Sequence, residues 1–259
     1  MVVPSKLSTR VSVDHAKASR EKLRNLILLG LPAKERDAIL KNLEFIELPT
    51  HFELHEAGEP IKFAYFIESG LASVLTMMVD GKSVEVGLAG KEGFIGLPLL
   101  VGFTTSATRV IMQVRGSAYR INARDFLKLL PTCPTLTKKL SRYSLDLGMQ
   151  AAHVAACNRV HEVDERLARW LLMSQDRLGG DNVPLTQEFL AHMLGTRRAS
   201  VTVAAGILQK AGLITYNRGN VRVENRGQLE DASCECYEAM KKQTIKWDQE
   251  ANRLGTLPR

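Results

Sequence analysis

Cysteine is scarce in this chain and long apolar runs are missing, and each absence removes a class of protein. Four cysteines, Cys133, Cys157, Cys234 and Cys236, are too few over 259 residues for a disulfide framework, so they read as free thiols in a reducing compartment. The longest uncharged run, Gly93 to Thr108, is too short for a bilayer span and contains Pro98. The opening MVVPSKLSTRVSVDHAK lacks the apolar stretch of an export signal. The expectation is a soluble, cytoplasmic protein with no membrane partner. No nucleophile–base pairing, metal-binding cluster or phosphate loop stands out, and GLPLLVG lacks the lysine of a phosphate-binding loop. Neither an enzyme nor a cofactor or metal is expected.

What is present is positive charge. The formal net charge is +7 and the sequence pI about 9.3, which favours a polyanionic partner. With 45% hydrophobic residues the chain can bury a sizeable core, enough for two compact units.

The texture changes twice along the chain. Residues 1–20 are polar and aperiodic and read as a loose arm. Leu23, Leu26 and Ile27, then Ile39 and Leu43, suit two short helices separated at Leu31-Pro32, because a residue before proline is biased out of the helical region. Between Phe45 and Ile121, the runs FELHEAG, AYFIESGLASVLTM, KSVEVGLAG, TRVIMQV and SAYRI alternate apolar and polar residues. Gly58, Gly70, Gly81, Gly90 and Gly116 punctuate them, and Asp80-Gly81 signals a hairpin. Strands at this spacing predict a double-sheet or barrel β-domain over residues 21–132. From Pro134, the residues Leu136, Leu140, Tyr143, Leu147, Val154 and Cys157 form one stripe, with Gln150 filling a position. The stripe predicts a long helix, residues 133–160, with a coiled-coil-like dimer seam; a helix packed on its own domain is the alternative. A second helix, His161 to Arg177, should stop at Gly179-Gly180.

The segment LTQEFLAHMLGTRRASVTVAAGIL, residues 185–208, is the most informative. In a helix-turn-helix the second helix must approach the first closely, which needs a small residue at the fifth position and a turn former at the ninth. Counted from Gln187, these are Ala191 and Gly195, while Leu190, Leu194, Val201, Ala204 and Leu208 are the inward set. The outward face then carries Thr196, Arg197, Arg198, Ser200, Thr202 and Val203. Arg198 is the candidate to donate two hydrogen bonds to guanine; Arg197 could do the same or hold a phosphate, and Thr202 and Val203 suit thymine methyls. Leu213–Tyr216 and Val221–Val223 flank the turn 217–220 and predict a wing. Over residues 184–223, Lys and Arg number five against one acid, Glu188. Thr186, Gln187, Arg218 and Asn220 are candidates to hold phosphates, contacts that position without reading sequence. The winged helix-turn-helix is expected over residues 161–230, with a helical tail over 231–259.

The order of β-domain, long helix and winged helix resembles the Crp/Fnr (catabolite activator/fumarate–nitrate regulator) family of bacterial transcription regulators. The resemblance runs from about Leu23 to Glu230 and is most specific in GEPIKFAYFIESGLASVL (58–75), DGKSVEVGLAGKEGFIGLPLL (80–100), NRVHEVDERLARWLLMSQDRLG (158–179) and the reader; LEDASCECY (229–237) is similar to a tail seen in part of the family. It implies an α+β chain: an N-terminal cyclic-nucleotide-binding-like β jelly roll, a long dimerisation helix and a C-terminal winged helix-turn-helix. It also implies a homodimer on a palindromic double-stranded operator, and adds RNA polymerase as a candidate partner.

The departures from the family pattern matter. Cyclic-nucleotide binders carry a glutamate for the ribose and an arginine for the cyclic phosphate in a pattern like GEL…RSA. Here the matching stretch is GFIGLPLL…TTSAT: Leu97-Pro98 follows Gly96 where the acid belongs, and Thr105, before Ser106, falls where the arginine belongs. Gly96, Leu97, Thr105 and Ser106 thus mark an effector pocket not expected to take cyclic AMP, and its effector is unassigned. No cysteine precedes Cys133, so the N-terminal iron–sulfur ligands of oxygen-sensing relatives are missing. Cys234 and Cys236 read as helix-surface or packing cysteines, a metal role being the weaker alternative without a His or Cys partner nearby, and His51 and His55, four apart in a strand, read as surface histidines. In the reader, Ala199 and Val203 stand where the catabolite activator has a glutamate and a second arginine, so the operator should differ. The alternative function is a ligand-binding or protein-interaction module whose winged helix docks a protein.

Overall fold

The structure, a computed structural model, describes residues 23–79, 81–185, 187–217 and 219–255. The arm expected over residues 1–20 lies outside them. Two short helices, α1 (Leu26–Leu29) and α2 (Ala33–Leu40), precede the sheet. Asn25 fixes α1: its side chain accepts from the Leu28 N–H and donates to the carbonyls of Ile67 and Gly93 at 3.0 and 2.9 Å. Glu68 takes the amides of Arg24 and Asn25, so this entry to the fold is satisfied though buried.

The β-domain comprises β1 (Glu44–Leu48), β2 (Glu53–His55), β3 (Phe63–Met77), β4 (Ser83–Ala89), β5 (Phe94–Ile95) and β6 (Arg109–Asn122). All pairings are antiparallel in the order β1-β6-β3-β4, with β2 on β6 and β5 on β3, the jelly-roll domain expected of the sequence. Two glycines read as punctuation prove otherwise. Gly70 and Gly116 lie inside single strands of 15 and 14 residues where β3 and β6 bend across each other. Gly70 has φ +83°, and a Cβ on Gly116 would stand 1.9 Å from the Ser69 carbonyl oxygen. Absent side chains permit a bulged close approach there rather than a turn. Gly81, by contrast, does sit at the β3–β4 hairpin with φ +82°.

Helix α3 (Ala123–Leu129) leads to α4 (Pro134–Val160), whose first turn is capped by Glu35 of α2 through the amides of Thr135 and Leu136. The stripe expected to be a dimer seam faces inward instead. Leu136, Leu140 and Tyr143 are buried with Ile27, Phe94 and Phe126; Leu147 packs on the sheet, and Val154 and Cys157 are buried as well. A regular apolar stripe looks the same in a sequence whether its partner is a second chain or its own domain, and here the domain occupies it.

Helix α5 (Val163–Leu178) begins with a Glu162/Glu165 capping box and stops at Gly179, φ +70°, as the sequence predicts. It lies at the centre of a core that joins Leu71, Leu75 and Leu88 of the sheet to the C-terminal unit. That unit contains β7 (Asn182–Pro184), α6 (Gln187–Met193), α7 (Arg198–Lys210), β8 (Ile214–Asn217) and β9 (Asn220–Val223), then α8 (Arg226–Asp231) and α9 (Cys236–Gly255). Among the described residues, no helix is long and apolar enough to cross a membrane.

Candidate nucleic-acid interface

The reader is built on the buried side of α6 and α7. Leu190, Leu194, Val201, Ala204 and Leu208 are all within 2% of full burial, and Ala191 is buried between the two helices. Gly195 takes φ +57° in the turn, where the Thr196 amide donates to the Ala191 carbonyl at 3.0 Å. Arg166 of α5 reaches the Leu194 carbonyl and satisfies an acceptor that the end of the first helix would otherwise bury. The turn is thereby pinned from three sides.

With that face inside, the opposite face of α7 is fixed. Arg198, Ala199, Thr202, Val203, Ile207 and Lys210 are exposed in the steps of a single helical stripe. Arg197 is exposed at the N-cap, whereas Thr196 and Ser200 are half-buried at the margin. Val203 and Ile207, 65% and 48% exposed, lie four residues apart on this stripe and make its apolar part. Ile207 escaped the sequence reading, which stopped at Val203 although the same period continues one turn further.

The wing forms as expected and gains a strand that the sequence reading missed, in the order β7-β9-β8. Pro184 closes that strand, at its end, where it needs no ladder donor. Tyr216 pins the wing to the reader: its hydroxyl donates to the Leu185 carbonyl, and its amide donates to Gln209 Oε1 at 2.6 Å. Asn220 is exposed at the start of β9. Thr186 and Arg218 lie outside the described residues, as does the side chain of Gln187.

The first turn of α7 opens on a cleft of about 860 Å³ whose far wall is the β3–β4 hairpin. Lys82, Ser83 and Val84 face Gly195, Arg197 and Arg198 across it. A second cavity, about 290 Å³, lies inside the β-domain beneath α4. Gly96, Leu97 and Ser106 line it as expected; Thr105 does not, being exposed and bridged to Pro60. Ser144, Leu147, Gly148 and Ala151 of α4 form its roof. His55 is no surface histidine: it is buried in this wall, and burial, opposed by the Thr108 backbone, pushes its pKa below the ordinary value. It shares no face with His51, which sits in the preceding turn at φ +67°.

Two family models match the chain, a cyclic nucleotide-binding domain over residues 45–133 and a Crp-like helix-turn-helix domain over residues 165–232. The chain belongs to the Crp/Fnr family. Solved Crp/Fnr-type structures agree with the fold. FixK2 from Bradyrhizobium japonicum superposes with a TM-score of 0.64 at 16% identity, over 74% of this chain and 98% of that one. A Crp/Fnr-family regulator from Eubacterium rectale gives 0.63 at 15%, over 80% and 97%. CLP of Xanthomonas campestris, described as a c-di-GMP responsive global regulator, gives 0.62 at 17%, over 75% and 100%. No curated protein matches the sequence. As a Crp/Fnr member the chain is a transcription regulator with a DNA-binding helix-turn-helix domain.

Proposed function

We propose that this Crp/Fnr regulator binds a palindromic operator as a homodimer, reading bases with α7, and that its β-domain does not respond to cyclic AMP. The observation that carries the reading is the exposed stripe Arg198, Thr202 and Val203, backed by a fully buried opposite face. Arg198 donates to guanine, Thr202 and Val203 meet thymine methyls, and Arg197, Lys210, Arg222 and Asn220 lie where phosphates would pass. Ile207 extends the apolar contact. A protein-docking winged helix would not need this basic margin.

With its inward stripe taken by the domain core, α4 offers a partner its other side. Ser141, Leu145, Gly148, Ala152 and Ala155 are exposed in alternating steps of four and three, the spacing of a helix–helix seam. We assign the dimer contact to that face, with Leu145, 63% exposed, as its largest side chain.

The cavity supports the view on cyclic AMP. No lysine or arginine is among the described residues lining it, so a cyclic phosphate would lose its water without gaining a counter-charge. Its polar groups are His55 and the hydroxyls of Ser106, Thr108 and Ser144, which suit a small uncharged effector. Selection of bound duplexes from a random pool, with and without cyclic AMP, tests both parts. The expected result is one inverted-repeat motif, enriched equally in the two arms. No enriched motif, or enrichment only with the nucleotide, would overturn the reading.

A further inference from the structure

Three of the four cysteines converge on one histidine. Cys157 lies in the last turn of α4 and His161 directly follows that helix, donating its amide to the Cys157 carbonyl at 3.1 Å. Cys234 and Cys236 lie in the link from α8 into α9, more than 70 residues away in the chain. The ligand atoms of the four lie within 4.8 Å of one another, with Cys157 Sγ 3.4 Å from Cys234 Sγ and Cys236 Sγ 3.8 Å from His161 Nδ1. The three cysteines are buried and His161 is half-buried. Cys234 and Cys236, read from sequence as helix-surface or packing cysteines for want of a partner, therefore have both a Cys and a His beside them.

We propose that Cys157, His161, Cys234 and Cys236 form a Cys3His site for a single zinc ion, which ties the tail of the reader to the end of α4. Zinc–sulfur bonds of about 2.3 Å put tetrahedral ligand atoms roughly 3.8 Å apart, close to the two separations observed. An iron–sulfur cluster would have to spread the same ligands around a body of several atoms, for which the set is too compact.

Two surrounding features suit a metal better than plain packing. His161 points Nδ1 at the sulfurs while Nε2 lies 2.9 Å from the Glu235 carboxylate. That is the carboxylate–histidine–metal arrangement that fixes the tautomer of a ligating imidazole. Arg166 and Arg169 are buried beside the sulfurs, and the Nε of each finds no hydrogen-bond partner among the described residues. Two buried cations need anionic company. Zinc supplies it: each thiol gives up its proton to solvent on binding, and three thiolates around one Zn2+ leave a net charge of −1. The tie would span the corner at His161, where the chain turns from the β-domain's helix into the reader, and so set the angle between them.

The test is metal content of the full-length protein purified under reducing conditions and refilled with Zn2+ alone. The expected result is about one zinc per chain, retained in Cys133→Ser and lost in Cys234→Ser, with Co2+ in its place giving the visible bands of a tetrahedral thiolate site. Glu235→Gln, at an exposed position outside the ligand set, should weaken zinc binding about tenfold; it carries the test if Cys234→Ser does not fold. Refilled protein that holds no zinc against a chelator would overturn the proposal. So would an iron–sulfur absorption spectrum, or a Cys157–Cys234 disulfide in protein kept from oxidants. None of these readouts uses DNA.

Discussion

Glu85 of β4 is the carboxyl group buried where the β-domain meets the reader. It accepts from Trp170 Nε1 of α5 at 2.7 Å and from Ser73 Oγ at 2.6 Å. Burial raises its pKa to about 7 despite those hydrogen bonds and the nearby Arg169 and Arg177. A carboxyl with an ordinary pKa near 4.5 in the unfolded chain therefore holds its proton longer when folded. Its contribution to stability is complete below pH 4.5 and is lost between about 4.5 and 7. Glu85→Gln keeps an acceptor for Trp170 and cannot ionise. Its Tm should match the wild type near pH 4.5 and exceed it by several degrees above pH 7. Melting curves across that range check this, and a gap independent of pH would count against it. Nothing in the sequence distinguishes Glu85 from a solvated strand residue, because its burial is created by a helix some 85 positions away.

At the scale of elements, α4 shows what a pattern can and cannot tell. Its length and amphipathic stripe are legible, but a stripe does not name its partner. Leu140→Ala should cost about 3 kcal/mol of folding stability, since Leu140 is fully buried among Leu136, Tyr143 and Phe126. Leu145→Glu should leave folding nearly unchanged and shift sedimentation from dimer to monomer. A stable dimer in Leu145→Glu would place the seam elsewhere. The reader was the most legible pair of elements, because Ala191 and Gly195 answer to a geometry that only a tight helix crossing imposes. The β-strands were legible in position but not in length. Gly70 and Gly116 carry the composition of a turn, and only the crossing backbone shows them to be bends in continuous strands. The wing's third strand, three residues long, is too short to show an alternation, and the Cys–His cluster was hidden by the distance in sequence between its halves.

The whole molecule is a reader packed against a β-domain through one continuous core, with the cavity roof and the proposed dimer face on the same helix. A ligand beneath Leu147 and Gly148 would press on α4, and α4 ends at the corner where the reader begins. Charge is uneven at the same scale: residues 184–223, which carry the reader and the wing, hold five Lys and Arg against one acid and so supply +4 of the net +7. All of this matters for function only if α7 reads bases. The most direct measurement compares the motifs that wild type and Arg198→Ala select from one random duplex pool. The account predicts that the variant still selects an inverted repeat but loses its preference at one base pair in each half-site, worth about 1–3 kcal/mol there. An unchanged motif at every position would contradict it.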